Sequence, residues 1–437
     1  MNMQCGLRDF LEQLNEEKLL ERISKPVSVD YEAAYWLKTY DGMKAVLMEK
    51  PIGYSIPIVG NILCSRHFLY KALKVENDSE AFSKLLKAIN EPKEVKIEGN
   101  PGCFKSLKGI DCLPVLRSYQ GEAGRYLTAS ILIAREPGGE VCNASIHRML
   151  VLDNKHLAVR LVPRHLYMMY MEAKKRGEHL PAAAVIGTSP EFYIAAAASP
   201  PYGVFELEVA NTLAEGKIKA FDAGNGLPVP LDSEIVLLGR LRTDIETPEG
   251  PFVDILGTLD TVRNQPVLEV DEVLIREGVS YYTILQGGRE HILLMGFPRE
   301  AAIWDSIRKV VPRVKSVRLL ESGGGWLIAV ISITKNADGD AKNALLAAFA
   351  AHPSLKIAVT VDEDLDIDNP SDLLWALATR MQPDEDLIIL KGCRGSSLDP
   401  SADQSTLTTS KLGIDATIPL TKQRELFHRA KIPWNFS

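Results

Sequence analysis

Three side chains of different chemistry lie within one short stretch, from Asn143 to His165. Asn143 offers a neutral oxygen, Arg148 a permanent positive charge, and His165 an imidazole that can bind a metal or carry a proton. The apolar segments at 149–152 and 157–162 predict two neighbouring strands joined by a tight turn. Strands hold side chains rigidly, so we expect these three groups to serve one functional site.

A second stretch places two carboxylates five residues apart, at Glu249 and Asp254, around Gly250-Pro251. Proline and glycine fix the backbone here, so the two acids are held in place. Near a cation, two acids can hold different protonation states, because the cation favours an ionised neighbour and burial favours a neutral one. Such a pair can deliver a proton, although the same spacing also fits two ordinary surface acids.

Basic residues elsewhere suggest places where an anion could bind. The glycine-rich segment at 286–291 predicts a flexible loop that carries Arg289 and His291. We hypothesise that these two residues bind an anionic group of a substrate, and a solvated turn is the alternative. Lys356 opens a predicted strand where a lysine could contact a phosphate, and an exposed lysine at a strand start is the alternative.

Two segments resemble known ligand loops only at first sight. Residues 323–325 are all glycine but lack both the G-x-G-x-x-G spacing and the Lys-Ser/Thr of a P-loop. The acidic run that begins at Asp364 has Asn369 where a calcium loop needs glycine and Trp375 where it needs glutamate. We therefore interpret the first as a turn and the second as a solvated strand end.

Length and composition limit the classes of function. A chain of 437 residues suggests two or three domains, and its hydrophobic content of 46% is that of a globular protein. The net charge of -7 argues against a broad surface for nucleic acid or anionic membranes. No apolar segment suggests a leader or a membrane span, so the chain is expected to be soluble and cytoplasmic.

The cysteines indicate neither a zinc ribbon nor a disulfide framework, because no C-x-x-C pair occurs. Reduced thiols are therefore expected, as in a cytosolic protein. The cysteines are Cys5, Cys64, Cys103, Cys112, Cys142 and Cys393.

The elements that must position the chemical groups fall into three predicted domains, 1–111, 112–310 and 311–437. The first is predicted to be a small α/β unit. In the second, short apolar strands separated by turn residues predict a β-barrel or a sandwich with inserted helices. The methionine cluster at 168–171 is predicted to fill its core. In the third, strands alternate with helices, which predicts an α/β domain. The expected fold class is therefore mixed α and β in several domains.

Several motifs occur in an order that resembles one enzyme family. They are Asn-x-Ser-Ile-x-Arg at 143–148, His165, a helix opened by Glu206, and Glu-Gly-Pro-Phe-x-Asp at 249–254. Weaker similarity covers most of the chain, at 60–62, 65–66, 375–376, 379–383 and 410–417. On these residues the chain resembles the UbiD family of decarboxylases, which use prenylated FMN, and in particular the short archaeal branch of that family.

The resemblance implies an N-terminal α/β unit, a central split β-barrel that binds flavin, and a C-terminal α/β domain that forms dimers. It implies that Asn143, His165 and Glu206 hold Mn²⁺ next to the cofactor phosphate, with K⁺ nearby. Mixed oxygen and nitrogen ligands suit manganese. The residues that we expect to contact the cofactor are Ser145, Ile146, His147, Arg148, His165 and Lys356.

Arg148, Glu249 and Asp254 match the family's network of one arginine and two acids, which makes Asp254 the expected proton donor. Loss of CO₂ from an sp² carbon leaves a carbanion without a π-acceptor, so an external electron sink is needed. In the family the modified flavin is that sink, and the acid protonates the product. Strand alternation would send His147 to the side opposite Arg148.

The short archaeal branch implies a substrate, trans-anhydromevalonate 5-phosphate. It would lose CO₂ to give isopentenyl phosphate in a variant mevalonate route of isoprenoid biosynthesis. The alternative substrate is a 4-hydroxybenzoate, with or without a polyprenyl chain, on the way to quinones. The alternative functions are those of a flavin oxidoreductase on the same barrel and of a non-catalytic flavin-binding subunit. The resemblance also implies a UbiX-type flavin prenyltransferase as the partner that supplies the cofactor, and a homodimer or higher homo-oligomer.

Overall fold

A computed structural model describes residues 6–98, 102–223 and 226–430 of the chain, so Cys5 lies outside the described residues. The chain forms two compact units, Met1–Pro298 and Arg299–Ser437. The domain boundaries after 111 and 310 stay predictions. The cysteines within the described ranges are free thiols. No helix in these ranges is long and apolar enough to cross a membrane.

The first unit combines helices with short strands. Its helices are Leu7–Glu16 (α1), Glu32–Thr39 (α2), Arg66–Leu73 (α3), Asp78–Asn90 (α4), His165–Arg176 (α5), Pro190–Ala198 (α6), Glu206–Leu213 (α7) and the start of Arg289–Ile307 (α8). Its strands are Leu20–Val27 (β1), Ala45–Pro51 (β2), Ile58–Gly60 (β3), Lys96–Ile97 (β4), Phe104–Leu107 (β5), Tyr126–Arg135 (β6), Cys142–Val151 (β7), His156–Val159 (β8), Leu180–Ile186 (β9), Lys219–Asp222 (β10), Pro228–Pro230 (β11), Ile235–Glu249 (β12), Phe252–Val253 (β13), Leu259–Asp260 (β14), Arg263–Arg276 (β15) and Tyr281–Tyr282 (β16).

Six antiparallel strands of this unit close into a β-barrel. Their order is β12-β9-β6-β7-β8-β15, and β15 pairs again with β12 to complete the ring. Closure removes the exposed edges that an open sheet would leave. Of the two alternatives that the strand pattern allowed, the barrel is therefore correct.

A four-stranded sheet with the order β1-β2-β3-β16 forms beside the N-terminal helices, as the predicted α/β unit requires. Strand β16 follows the barrel in the chain and pairs in parallel with β3. Helix α1 packs through Leu7, Phe10 and Leu14, which are buried and lie on the face that its periodicity predicts. The N-terminal sheet thus takes its last strand from a segment far along the chain.

The predicted hairpin between 149 and 162 is present, and β7 begins earlier than expected, at Cys142. Asn143 and Arg148 therefore lie on one strand. The expectation that His165 lies with them on a strand is wrong, because His165 is the first residue of α5. Pro163 precedes this helix and cannot donate to a strand ladder.

Helix α5 also corrects the prediction for the methionine cluster. Its buried residues Leu166, Met169, Tyr170 and Ala173 follow the i, i+3, i+4, i+7 spacing of one helical face. Met168 and Met171 lie off that face and are exposed. Only Met169 of the predicted core cluster is therefore buried.

The second unit is an α/β sheet with the order β17-β18-β19-β21-β20. The three central strands run parallel, and the two edge strands are antiparallel to their neighbours. This arrangement confirms the predicted alternation of strands and helices. The elements are Val314–Leu319 (β17), Ile328–Ile333 (β18), Gly339–Ala351 (α9), Ile357–Asp362 (β19), Pro370–Thr379 (α10), Leu387–Arg394 (β20), Thr408–Ala416 (β21) and the short 3₁₀ turns Glu321–Gly323 and Arg424–Phe427.

Candidate active site

The guanidinium of Arg148 is held by a buried carboxylate at the end of another barrel strand. Arg148 lies on β7, and Glu249 is the last residue of β12. Arg148 Nε donates to Glu249 Oε1 at 2.9 Å and Nη2 donates to Oε2 at 3.0 Å. The Glu249 side chain is fully buried and that of Arg148 is 9% exposed. This two-point bond between rigid strands fixes the plane of the guanidinium.

Two further carboxylates bind the same guanidinium. Arg148 Nη1 donates to Asp254 Oδ2 at 2.7 Å, and Nη2 donates to Asp260 Oδ2 at 2.9 Å. Burial lowers the pKa of Arg148, but the bond to Glu249 and the charges of all three acids outweigh it and leave that pKa raised. Asp254, with 18% of its side chain exposed, is the most accessible of the three acids.

The motifs drew attention to Arg148, Glu249 and Asp254, and the structure brings these three together. Sequence reasoning missed Asp260, which pairs with Phe252 across the two-stranded sheet of β13 and β14. Two short segments around Gly257 were the available signal for that hairpin. Burial raises the pKa of Asp260. Its hydrogen bonds to Arg263 and Arg148, with the charges of these two arginines, have the larger and opposite effect, so the pKa of Asp260 is lowered overall.

An aromatic pair lies under the guanidinium. The ring of Phe252 stacks beneath Arg148 at 4.3 Å from its centroid and packs against Tyr126 at 4.6 Å between centroids. A cation over an aromatic face gains about 2 kcal/mol or more when desolvated. Burial also raises the pKa of the Tyr126 hydroxyl. The floor of the site is thus apolar and excludes water from beneath Arg148.

Glu122, another residue that sequence reasoning missed, anchors the loop that carries Asp254. Its Oε1 accepts from Val253 N at 3.4 Å and from Gln286 Nε2 at 3.2 Å. Its Oε2 accepts from the backbone of Ser118 and Tyr119. Burial raises the pKa of Glu122 despite these bonds. One buried carboxyl therefore ties three loops together next to Asp254.

The segment that carries Arg289 and His291 is not the flexible loop that its glycines predicted. Both residues lie in the first turn of α8. Arg289 N donates to Asp41 Oδ1 at 2.9 Å, which fixes the start of the helix. A Cβ on Gly287 would lie 3.3 Å from the carbonyl oxygen of Asp254, so the glycine allows this turn to approach Asp254.

His291 lies close enough to the network to feel its charges. Burial lowers the pKa of His291, the charge of Asp254 opposes that effect, and the charge of Arg148 adds to it. Gly287 N donates to His291 Nδ1 at 3.2 Å, so the proton of the neutral ring lies on Nε2. His291 thus lies within electrostatic range of Asp254, and its lowered pKa leaves the ring neutral at pH 7.

A second polar cluster is centred on Glu206, the first residue of α7. Asn143 Nδ2 donates to Glu206 Oε1 and Ala144 N donates to Oε2, both at 2.7 Å. Glu206 is 1% exposed, and burial raises its pKa to about 8. Within the described ranges no cation pairs with it, in contrast to Glu249. A buried carboxylate is costly to ionise without a paired positive charge, and none of the described residues supplies one to Glu206.

Alternate residues of β7 extend this cluster. Ser145 Oγ lies 3.2 Å from Asn143 Oδ1 and 2.9 Å from His147 Nε2. His147 Nδ1 donates to the carbonyl oxygen of Arg160 at 2.8 Å. Burial lowers the pKa of His147 to about 4, so this imidazole is neutral at pH 7. Ile146, between them, pairs with Ile131 of β6.

The remaining predicted residues are placed as follows. His165 opens α5 and contacts the Tyr202 ring edge-on, at 5.4 Å between centroids; burial lowers its pKa. Lys356 lies in the second unit, where its ammonium pairs with Asp399 Oδ2 at 2.8 Å and donates to Ser401 Oγ. Among the described residues, no group of three or more His, Cys, Asp or Glu side chains could hold a metal ion by itself.

Sequence models of one enzyme family match most of the chain. The N-terminal domain of 3-octaprenyl-4-hydroxybenzoate carboxy-lyase, UbiD, matches residues 11–89. Its Rift-related domain matches 98–289, which includes the barrel, and its C-terminal domain matches 292–416.

Two archaeal proteins are similar over almost the full length. The anhydromevalonate phosphate decarboxylase of Aeropyrum pernix is 44% identical over 430 residues, which cover 98% of this chain and 96% of that protein. The protein of the same name from Methanothermobacter thermautotrophicus is 40% identical over 425 residues, with 97% and 99% covered.

A solved structure shows the same fold. The UbiD-class enzyme HmfF from Pelotomaculum thermopropionicum, in complex with FMN, superposes with a TM-score of 0.95 at 35% identity, over 98% of this chain and 97% of that one. An evolved dimeric form of HmfF in complex with prFMN gives a TM-score of 0.91 at 33% identity, with 98% and 97% covered.

Proposed function

Because the chain belongs to the UbiD family of decarboxylases, we propose that it releases CO₂ from trans-anhydromevalonate 5-phosphate and forms isopentenyl phosphate. The observation that carries this function is the cluster in which Arg148 binds Glu249 and Asp254. The chain that holds it is 44% identical to an enzyme named anhydromevalonate phosphate decarboxylase. The cluster supports a proton-delivering site, and the archaeal likeness supports the choice of a phosphorylated enoate over a hydroxybenzoate.

The cofactor is a flavin, which HmfF of the same family carries as FMN and as prFMN. Prenylated FMN, when bound, supplies the electron sink that loss of CO₂ from an sp² carbon requires. The residues of the first unit that we propose to hold it are Ser145, Ile146, His147, Arg148 and His165, and the cofactor contact of Lys356, in the second unit, stays a prediction. Among them, Arg148 offers a fixed guanidinium plane and His147 a neutral imidazole.

The Glu206 cluster fits a divalent cation. Glu206 is buried, and none of the described residues gives it a counter-charge. The Asn143 amide beside it carries a possible oxygen ligand, Oδ1, which accepts from Ser145 Oγ at 3.2 Å. A hard cation would allow this carboxylate to ionise. The imidazole of His165, whose pKa is lowered, is neutral at pH 7 and able to serve as a third ligand. We propose Mn²⁺ at this position, with K⁺ nearby.

The Arg148 cluster contains the acids that could carry the proton, because Glu249, Asp254 and Asp260 each accept a hydrogen bond from Arg148. Asp254 is the most accessible acid, and its Oδ1 is fixed by Ile255 N at 2.7 Å. We infer that Asp254 donates its proton to the carbon that loses CO₂ and regains one from solvent, while Glu249 and Arg148 hold it in position.

Reconstituting the protein with prenylated FMN and measuring CO₂ release tests this function. The expected result is turnover of trans-anhydromevalonate 5-phosphate and none of 4-hydroxybenzoate. Preferred turnover of the hydroxybenzoate would overturn the substrate assignment, and oxidation of NADH with plain FMN would indicate an oxidoreductase instead.

Three further properties are part of the proposed function. A UbiX-type flavin prenyltransferase is proposed to supply the modified flavin, and the chain is proposed to form a homodimer or higher homo-oligomer. The proposed location is the cytoplasm. Size-exclusion chromatography with light scattering measures the oligomeric state, and a monomer would contradict it.

A further inference from the structure

The backbone that leads into Asp254 is held at two points by one short segment. Ala123 N donates to the carbonyl oxygen of Pro251 at 3.0 Å. The side chain of Glu122 makes the second bond, because its Oε1 accepts from Val253 N at 3.4 Å. Val253 directly precedes Asp254 in the chain, so its placement determines where the Asp254 side chain begins.

A second connection from Glu122 to Asp254 runs through the turn before α8. Gln286 Nε2 donates to Glu122 Oε1 at 3.2 Å, and Tyr119 OH donates to Gln286 O at 2.7 Å. The next residue, Gly287, lies close to the carbonyl oxygen of Asp254, because a Cβ on Gly287 would be only 3.3 Å from it. The turn that Glu122 holds therefore packs on the backbone of Asp254.

The groups that bind the Glu122 side chain are all hydrogen-bond donors. Its Oε1 accepts from Val253 N and Gln286 Nε2. Its Oε2 accepts from Ser118 N at 3.2 Å and from Tyr119 N at 3.0 Å. These donors need an acceptor on both sides, which a carboxylate supplies and an amide does not. Glu122 is 3% exposed, so the loss of one acceptor leaves buried donors without a partner.

We propose that Glu122 is a positioning residue for the proton transfer, because it holds Asp254 in the place from which Asp254 protonates the product. This inference rests on the proposed function, since Glu122 acts through the proposed acid. Asp254 is bound to Arg148 through one oxygen only, so the position of its carboxyl also depends on the backbone that carries it. A displacement of about 1 Å in such a group can slow a reaction about 100-fold.

The test uses Glu122→Gln, which keeps the size of the side chain and replaces one acceptor by an NH₂ group. Combined with Asp254→Asn, it forms a double-mutant cycle that separates a residue acting through Asp254 from one that only stabilises the fold. Glu290→Gln is the matched control, because Glu290 is 1% exposed and also accepts from two backbone groups, Asn61 N and Leu63 N. All variants are loaded with prenylated FMN, and kcat and KM are measured separately. Titration of the flavin-free proteins gives the Kd for FMN.

For Glu122→Gln we expect kcat to fall roughly 10- to 100-fold, while KM and the Kd for FMN stay at their wild-type values. The losses should not multiply in the double variant. Glu122→Gln with Asp254→Asn should be no slower than Asp254→Asn alone, because the group that Glu122 positions is then already absent. Glu290→Gln should keep the wild-type kcat.

Gln286→Met interrupts the same network at a smaller cost to folding. Gln286 Oε1 is buried and has no hydrogen-bond partner among the described residues, so methionine removes an unpartnered acceptor together with the bond to Glu122. Should Glu122→Gln fail to fold, Gln286→Met should still lower kcat at an unchanged KM. Its combination with Asp254→Asn should again be no slower than Asp254→Asn.

Three results would overturn the inference. A wild-type kcat in Glu122→Gln, beside a slow Asp254→Asn, would show that Asp254 keeps its position without Glu122, and the proposed function would stand. Losses that multiply in the double variant would show that Glu122 acts independently of Asp254. A wild-type rate in Asp254→Asn would refute the proposed proton donor and this inference together.

Discussion

Two buried glutamates contact strand β7, and they differ in the charge of the groups that bind them. Glu249 is fully buried and receives two hydrogen bonds from the Arg148 guanidinium. Glu206 is as deeply buried but receives only neutral donors, Asn143 Nδ2 and Ala144 N, and burial raises its pKa to about 8. The first cluster is complete within the protein, whereas the second calls for a cation from solution. We propose the first cluster as the proton-delivering site and the second as the metal site.

The largest expected effect is that of Arg148→Ala. It leaves the fully buried Glu249 without its counter-charge, which costs about 3 to 5 kcal/mol of unfolding free energy. Decarboxylation should be lost as well, because Asp254 and Asp260 lose the group that positions them. Urea unfolding and CO₂ release measure the two effects, with Arg240→Ala as the control. A wild-type unfolding midpoint in Arg148→Ala would show that the cluster does not stabilise the barrel.

Asp254→Asn should separate chemistry from stability. Loss of a general acid lowers kcat roughly 10²- to 10⁴-fold. Arg148 keeps Glu249 and Asp260, so the unfolding free energy should change by about 1 kcal/mol or less. Asp260→Asn is the matched control, since it removes a carboxylate from the same guanidinium at a less exposed position. If Asp260→Asn slows turnover more than Asp254→Asn, the proton donor is misassigned.

Glu206→Gln tests the other side of the comparison. Mn²⁺ at about 100 times its Kd should raise the unfolding free energy of the wild type by about 2.7 kcal/mol, by linkage. Glu206→Gln loses the anionic ligand and should lose most of that gain, while its metal-free form should be at least as stable as the metal-free wild type. Thermal unfolding with and without Mn²⁺ measures both. Equal stabilisation of the two proteins by Mn²⁺ would place the metal elsewhere.

The smallest effect on activity is expected from Glu290→Gln. Glu290 is a third buried glutamate and, like Glu206, pairs with no arginine among the described residues. Burial raises the pKa of Glu290 to about 7, and Asn61 N and Leu63 N donate to it. The folded protein therefore keeps a proton that the unfolded chain releases above its ordinary pKa of 4.5. Stability should fall as pH rises from 4.5 to 7, by up to about 1.4 kcal/mol per pH unit.

Glu290→Gln should abolish this fall, because the amide does not titrate. Denaturant unfolding of both proteins across this pH range gives the slopes. The same slope in the variant and the wild type would assign the pH dependence to another group.

Local sequence patterns were enough to predict the β7–β8 hairpin and two residues of the Arg148 cluster. The hairpin of β7 and β8 followed from two apolar segments, and Arg148 and Asp254 stood out through the residues around them. His165 was assigned to the wrong element because the apolar run before it suggested a longer strand. The stripe from Leu166 to Ala173 would have predicted the helix.

Contacts between distant segments could not be predicted in this way. Glu122 reaches Val253 and Gln286 across more than one hundred residues. No spacing along the chain encodes that contact, because it arises from barrel closure and the loops that closure brings together.

The most direct test follows the proton. With prenylated FMN in D₂O, the wild type should form isopentenyl phosphate that carries one deuterium on the carbon that lost CO₂. Asp254→Asn should bind flavin and substrate with wild-type affinity and form this product at least about 100 times more slowly. Product formation at the wild-type rate by Asp254→Asn would contradict the assignment of Asp254 as the acid.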